Sequence, residues 1–91
     1  MSASNTFHLV IASVGETRFD GPTTSATVPG SDGELTVLAH HEPFVTTLKA
    51  GKITVREPSV PSEGGSVSGG KEFAIESGVL EVSGNRAVVL L

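Results

Sequence analysis

Val28-Pro-Gly-Ser-Asp-Gly-Glu-Leu-Thr-Val-Leu38 is the stretch of this 91-residue chain that decides its fold class. Pro29 fixes φ and has no amide hydrogen to donate, and Gly30 and Gly33 tolerate positive φ, so the chain is expected to reverse direction here. Apolar residues flank the turn on both sides, and the turn itself carries two carboxylates. The stretch therefore predicts a stiff β-hairpin with an acidic tip, which suits docking better than catalysis.

Turn-forming residues interrupt the rest of the chain, where 11 Gly and 5 Pro leave Met1–Val14 as the longest window without either. That window alternates from Phe7 to Ala12, as a strand does, and lacks the spacing of an amphipathic helix. Similar short runs recur between turn signals, which predicts an all-β protein. Strands are predicted over Phe7–Ala12, Thr17–Phe19, Ser25–Val28, Glu34–Leu38, Phe44–Leu48, Ile53–Glu57, Lys71–Ser77, Val79–Ser83 and Arg86–Leu90. The fold expected is a flattened antiparallel β-sandwich of about ten short strands.

The size and charge of the chain narrow the functions open to it. Its length predicts one domain over residues 1–91, and the absence of Cys excludes disulfides and thiol chemistry. A net charge of −4 with scattered Lys and Arg argues against a nucleic-acid partner. Wholly apolar runs such as Leu9–Ala12 are far shorter than the roughly 20 residues of a membrane span, and no secretion signal begins the chain. We therefore predict a soluble cytoplasmic protein.

The segment from Pro58 to Gly70 is rich in Gly, Ser and Pro. Such a composition offers too few favourable contacts to offset the conformational entropy lost on ordering. We therefore predict a long flexible loop inserted within the sandwich. Part of it, Gly65–Lys71, matches most of a phosphate-binding loop. However, Glu72 stands where that motif needs Ser or Thr, and a strand rather than a helix is predicted next. No nucleotide site is predicted.

Two further groups of polar residues were considered as a metal site and as a catalytic acid–base pair. His40 and His41 are adjacent in an extended segment and would point to opposite faces, so at most one of them could join His8 at a metal. Asp32 and Glu34 could serve as a general acid and base, but a solvated turn does not separate the pKa values of two carboxylates. We therefore predict no catalytic residues, no metal and no cofactor.

The chain resembles the epsilon subunit of F-type ATP synthase, in its N-terminal β-sandwich domain, from Phe7 to Leu90. The motifs that carry this resemblance are Phe7-His8-Leu9 with Ser13, the turn Phe19-Asp20-Gly21, Val28–Leu38, His41-x-Pro43, Leu48-Lys49-x-Gly51 with Ile53, and Ser77–Val82 with Asn85 and Val88–Leu90. Ala39-His40 stands where the family commonly has Pro-Gly, and the 58–70 loop is longer than usual. The family generally continues into a helical hairpin, which we expect this chain to lack, together with the inhibitory and ATP-binding residues found there.

The resemblance implies a non-catalytic rotor subunit in the central stalk of F1. Such a subunit joins gamma to the ring of c subunits, couples proton flow to ATP synthesis, and lies at the cytoplasmic face of the inner (plasma) membrane only through the complex. It also implies that the hairpin tip, together with His41, faces the polar loops of the ring. The implied interface residues are Ser13, Ser31, Asp32, Gly33, Glu34 and His41. The alternative is a free-standing β-sandwich binding module for a peptide or glycan, which should show converging aromatic side chains.

Overall fold

The computed structural model describes residues 5–58 and 70–91, which form nine β-strands and no helix. The strands are β1 (Phe7–Ser13), β2 (Glu16–Thr23), β3 (Ser25–Gly30), β4 (Gly33–Leu38), β5 (Phe44–Leu48), β6 (Gly51–Arg56), β7 (Gly70–Ile75), β8 (Gly78–Ser83) and β9 (Arg86–Leu90). Every predicted strand overlaps an observed one, so the all-β prediction is confirmed. In these two ranges no helix could cross a membrane.

The strands form one hydrogen-bonded sheet that curls into two packed halves. One half has the order β2-β1-β9-β8-β5, and the other contains β4, β3, β6 and β7. Strand β3 links them, because Ser25–Thr27 pairs with β6 whereas Gly30 pairs with Leu48 of β5. The first and last strands, β1 and β9, pair in parallel, with Leu9 opposite Ala87. The other neighbours are antiparallel, as predicted.

A single hydrophobic cluster fills the space between the two halves. Because side chains alternate along a strand, every second residue of β1, β6 and β9 points inward. The fully buried side chains include Leu9, Ile11, Val28, Val37, Ile53, Val55, Leu80 and Val89. Burying each of these contributes roughly 1.5–3 kcal/mol before ordering costs are subtracted. The core therefore makes the two halves one rigid unit, as expected for a sandwich.

Strand β2 corrects the sequence prediction, which placed a turn at Phe19-Asp20-Gly21. The strand instead continues through Gly21 and Pro22 to Thr23, and Pro22 lies opposite His8. This is possible because β2 is an edge strand, where a proline need not donate to a second neighbour. The irregularity lies in the pairing of β1 with β2 itself: Ile11 pairs with Phe19 but Ala12 pairs with Thr17, so Arg18 of β2 is the extra residue of a bulge.

The predicted loop at 58–70 lies outside the described residues except for its two ends. Strand β6 ends at Arg56, and β7 begins at Gly70. Lys71 and Glu72 are part of β7, so the residues that follow the glycine-rich segment are extended, as predicted.

Candidate functional site

The β3–β4 turn is a tight reversal in which Ser31 and Asp32 connect the paired residues Gly30 and Gly33. Gly30 is required by space, because a Cβ there would lie 2.7 Å from the carbonyl oxygen of Gly33. Gly33 has φ +133°, a backbone conformation that favours glycine. The two glycines therefore force the exposed, sharply turned tip that the sequence predicted.

The tip is fastened to the end of β5. The amide of Ser31 donates to the carbonyl of Thr47 at 3.0 Å, and their hydroxyl oxygens lie 2.7 Å apart. The amide of Lys49, in the β5–β6 turn, donates to the carbonyl of Pro29 at 2.9 Å. These bonds hold the turn against the sandwich, so its backbone keeps a fixed position relative to the core. Thr47 and Lys49 were not predicted as tip residues, because their contact with it depends on strand pairing.

The carboxylates of Asp32 and Glu34 are both exposed. Within residues 5–58 and 70–91, neither forms a hydrogen bond or an ion pair. A rigid turn thus presents two carboxylates that can accept hydrogen bonds from, or pair with, cationic groups of another molecule. Their solvent exposure gives them no means of acting as an acid–base pair.

Ser13 lies at the same end of the sandwich as the tip. It is half-buried at the end of β1, opposite Glu16 across the β1–β2 turn. The pairing continues along this end from β9 through Gly78 of β8 to Leu48 of β5, which in turn pairs with Gly30. Ser13 and the tip therefore share one end of the molecule, although several strands separate them.

His41 lies at the other end of the sandwich from the tip. The six residues of β4 separate the two positions, a span of about 17–20 Å at strand geometry. The His41 ring packs against Phe44 with 4.8 Å between ring centroids. Its Nδ1 lies 2.9 Å from the carbonyl oxygen of Glu42. His41 and the acidic tip are therefore not in contact with each other.

Asn85, named above only among the motifs of the family resemblance, holds three segments together near His41. Its Oδ1 accepts from the amide of His40 at 2.6 Å, and its Nδ2 donates to the carbonyl of Thr6 at 2.9 Å. Its own carbonyl accepts from the amide of His8 at 3.2 Å. Asn85 and His40 both have positive φ, 58° and 65°. The β4–β5 loop that carries His41 is therefore anchored by the β8–β9 turn.

The histidines do not converge on a metal. His8 Nε2 lies 2.5 Å from Oδ1 of Asp20, His40 is held by its backbone, and His41 stacks on Phe44. The described part of the chain contains no group of three or more His, Cys, Asp or Glu residues able to hold a metal ion.

Comparisons with known proteins agree with the fold. A family model for the "ATP synthase, Delta/Epsilon chain, beta-sandwich domain" matches residues 6–91. An ATP synthase epsilon chain from Chlorobium limicola is 35% identical over 91 residues, covering 98% of this chain and 92% of that protein. One from Delftia acidovorans is 31% identical over 87 residues, covering 94% of this chain but 56% of that protein. A chain in the cryo-EM structure of Euglena gracilis mitochondrial ATP synthase (OSCP/F1/c-ring) has the same fold, with TM-score 0.77 at 23% identity over 99% of this chain and 52% of that one.

Proposed function

The chain belongs to the family of the ATP synthase delta/epsilon chain β-sandwich domain, and we propose that it is a rotor subunit in the central stalk of F1. In this role it joins the gamma subunit to the membrane ring of c subunits and transmits torque between them. A close-packed sandwich suits the role, because it resists deformation under load. We further propose that residues 1–91 act as one domain and catalyse nothing.

The observation that carries this proposal is the fixed, acidic β3–β4 tip of a chain whose relatives are ATP synthase epsilon chains. Asp32 and Glu34 are exposed and have no partner among the described residues, while Ser31 is bonded to Thr47. A preorganised pair of carboxylates favours docking onto a surface of opposite charge. We propose that Ser31, Asp32, Gly33 and Glu34 contact polar loops of the c-ring.

The positions of the other two candidate residues, Ser13 and His41, favour two separate contacts. Ser13 shares the end of the sandwich that carries the tip, so it belongs with the ring-facing surface. His41 lies at the opposite end and belongs to a separate contact within the stalk, which we assign to gamma. Membrane association then arises only through the complex, at the cytoplasmic face of the inner (plasma) membrane.

A peptide- or glycan-binding module is less well supported. All four Phe fall within the described residues, and none is exposed: Phe7 and Phe19 are buried, and Phe44 and Phe73 are half-buried. A sugar- or peptide-binding platform needs accessible aromatic surface at one site. The sandwich uses its aromatic rings for packing instead.

The test is charge reversal at the tip. We expect Asp32→Lys with Glu34→Lys to weaken co-sedimentation with membranes that carry the c-ring and gamma, because like charges then meet at the interface. Exposed substitutions of this kind usually change folding by no more than about 0.5 kcal/mol. The control, Asp20→Lys with Glu72→Lys, changes the net charge equally on exposed residues away from both the tip and the loop that carries His41.

Thermal unfolding of both variants shows whether the sandwich remains intact. Loss of binding in the tip variant alone supports the assignment. Equal binding by both double variants and the unmodified protein would show that the tip is only a solubilising turn.

A further inference from the structure

The sheet ends in three strands, β2, β7 and β4, and the first two carry features that hinder pairing with another chain. An exposed strand edge offers unpaired amides and carbonyls, and native proteins block such edges with proline, bulges or charged side chains. Strand β2 has Pro22 and a bulge at Arg18. Strand β7 carries the exposed charges of Lys71 and Glu72. Both edges are therefore protected.

Strand β4 lacks this protection. It pairs with β3 along its whole length, from Gly33 to Leu38, without a register shift. It contains no proline and no basic residue, and its one charged residue, Glu34, stands beside the tip. Among the described residues β4 has no second neighbouring strand. The strand is therefore regular along its length and open on one side.

The strand pairing shows which backbone groups of β4 face outward. The carbonyl of Pro29 accepts from the amide of Lys49 on the side of β3 away from β4, so Pro29 and Glu34 form a non-hydrogen-bonded pair. Backbone direction alternates along a strand, so the amides and carbonyls of Glu34, Thr36 and Leu38 point away from β3. None of these groups has a hydrogen-bond partner within residues 5–58 and 70–91. We call these three residues the β4 edge.

A second copy of this chain matches the β4 edge in the antiparallel register centred on Thr36. In that register Thr36 lies opposite Thr36 of the other copy, and Glu34 of each copy lies opposite Leu38 of the other. This is the one self-pairing register that uses all three outward residues, and each hydrogen-bonded pair exchanges two bonds. No like charges stand opposite each other, so nothing opposes the pairing electrostatically across the strands.

The side chains beside the β4 edge extend this match. Thr36, Thr27 and Thr54 stand in a row on adjacent strands, and the hydroxyl oxygens of Thr27 and Thr36 lie 3.0 Å apart. The register joins two such rows end to end, so the two copies of Thr36 make the same kind of cross-strand hydroxyl contact. Antiparallel pairing also brings the acidic tip of each copy towards the loop of the other that carries His40 and His41. These matches favour a second copy over an unrelated strand.

We propose that the β4 edge is a strand-pairing surface for a second copy of this chain, which forms an antiparallel dimer with one sheet running through both copies. The contact is a single strand edge and therefore narrow, so the dimer is weak and dissociates on dilution. Glu34 belongs both to the β4 edge and to the tip, so a dimerised chain cannot offer its tip to another molecule. If the tip docks on the c-ring, a point that rests on the proposed function, the dimer is a form of the free subunit only.

Sedimentation velocity of the purified chain over a range of concentrations measures the dimer, and substitutions test its register. Leu38→Lys places a cation opposite Glu34 twice, and we expect it to tighten dimerisation by about three- to tenfold. Adding Glu34→Lys to that variant opposes like charges instead, and Thr36→Lys opposes two cations at the centre, so each should weaken dimerisation by about tenfold or more. The matched controls on β2, Thr17→Lys and Thr17→Lys with Asp20→Lys, change the net charge equally at exposed positions and should leave dimerisation unchanged.

Thermal unfolding of each variant shows whether the sandwich is intact, and co-sedimentation with membranes that carry the c-ring tests the rotor role separately. A chain that stays monomeric at millimolar concentration overturns the dimer proposal, leaves the rotor function standing and leaves the β4 edge to a strand of another protein. Dimerisation that ignores all the β4 substitutions, or that the β2 controls weaken equally, shows that the copies meet elsewhere and also overturns it. An unmodified chain that dimerises as expected but does not bind the membranes supports the dimer and contradicts the rotor function.

Discussion

Replacing Asn85 with Ala should destabilise the sandwich through three effects that can be added. The substitution removes the hydrogen bonds to the His40 amide and the Thr6 carbonyl, at about 1 kcal/mol each. It also leaves Ala at φ 58°, where a non-glycine residue costs roughly 1 kcal/mol. We therefore expect Asn85→Ala to lower the free energy of unfolding by about 3 kcal/mol, a large share of the 5–15 kcal/mol typical of a small domain.

Two companion variants separate these effects. Asn85→Gly loses both hydrogen bonds but accepts positive φ, so we expect it to lower the free energy of unfolding by about 2 kcal/mol. Asn85→Asp keeps the acceptor for the His40 amide and loses the donor to Thr6, so we expect it to lower the free energy of unfolding by about 1 kcal/mol. Urea unfolding of the four proteins gives the free energies. Hydrogen exchange at the His40 amide should be fast in the Ala and Gly variants and slow in the Asp variant.

The reasoning would be refuted by equal stability of all three variants, or by a protected His40 amide in Asn85→Ala. Either result would mean that the β4–β5 loop is held by contacts other than the Asn85 side chain. The β8–β9 turn would then be an ordinary hairpin turn and not an anchor for the loop that carries His41.

Three further expectations follow from the core, the tip and the fold class. Leu9→Ala, at a fully buried position of β1, should lower the free energy of unfolding by roughly 2–5 kcal/mol, as measured with denaturant. A loss below about 1 kcal/mol would mean that the core relaxes around the substitution. Gly30→Ala should lower the free energy of unfolding by more than about 2 kcal/mol, because its Cβ would lie 2.7 Å from the Gly33 carbonyl oxygen. Unchanged stability would contradict the tight turn. Far-UV circular dichroism should show negligible helix; helix near the roughly one-third of an ordinary globular protein would be inconsistent with the nine-stranded fold.

Local features of the fold could be predicted because turn chemistry is local. Pro29, Gly30 and Gly33 specify the β3–β4 hairpin within a few residues, and the structure has it there. The predicted strand Thr17–Phe19 stopped short of Pro22, since only the sheet order reveals that β2 lies at an edge, where proline is tolerated. The parallel pairing of β1 with β9 joins the two ends of the sequence, and no local pattern encodes it.

The candidate site, like the fold, could be predicted only where it depends on neighbouring residues in the sequence. The exposed carboxylates of the tip follow from the turn itself, whereas the bond from Ser31 to Thr47 depends on how β3 meets β5. The separation of His41 from the tip was available in the sequence, because Glu34–Leu38 was predicted as a strand and a strand advances about 3.3 Å per residue. The neighbours of Glu81 across the sheet could not be predicted without the strand register, which places Val45 and Val88 on either side of it.

The central claim is that the β3–β4 tip contacts the c-ring, and site-specific photo-crosslinking in assembled ATP synthase membranes tests it most directly. A photoreactive side chain replaces Asp32 at the tip in one protein and Thr54 on the outer side of β6 in another. Asp32 is exposed in the turn and Thr54 is half-buried on β6, and each side chain reports on its immediate neighbour. We predict a covalent adduct between position 32 and a c subunit, and none from position 54. Failure of position 32 to label a c subunit in membranes that synthesise ATP, or equal labelling from both positions, would contradict the account.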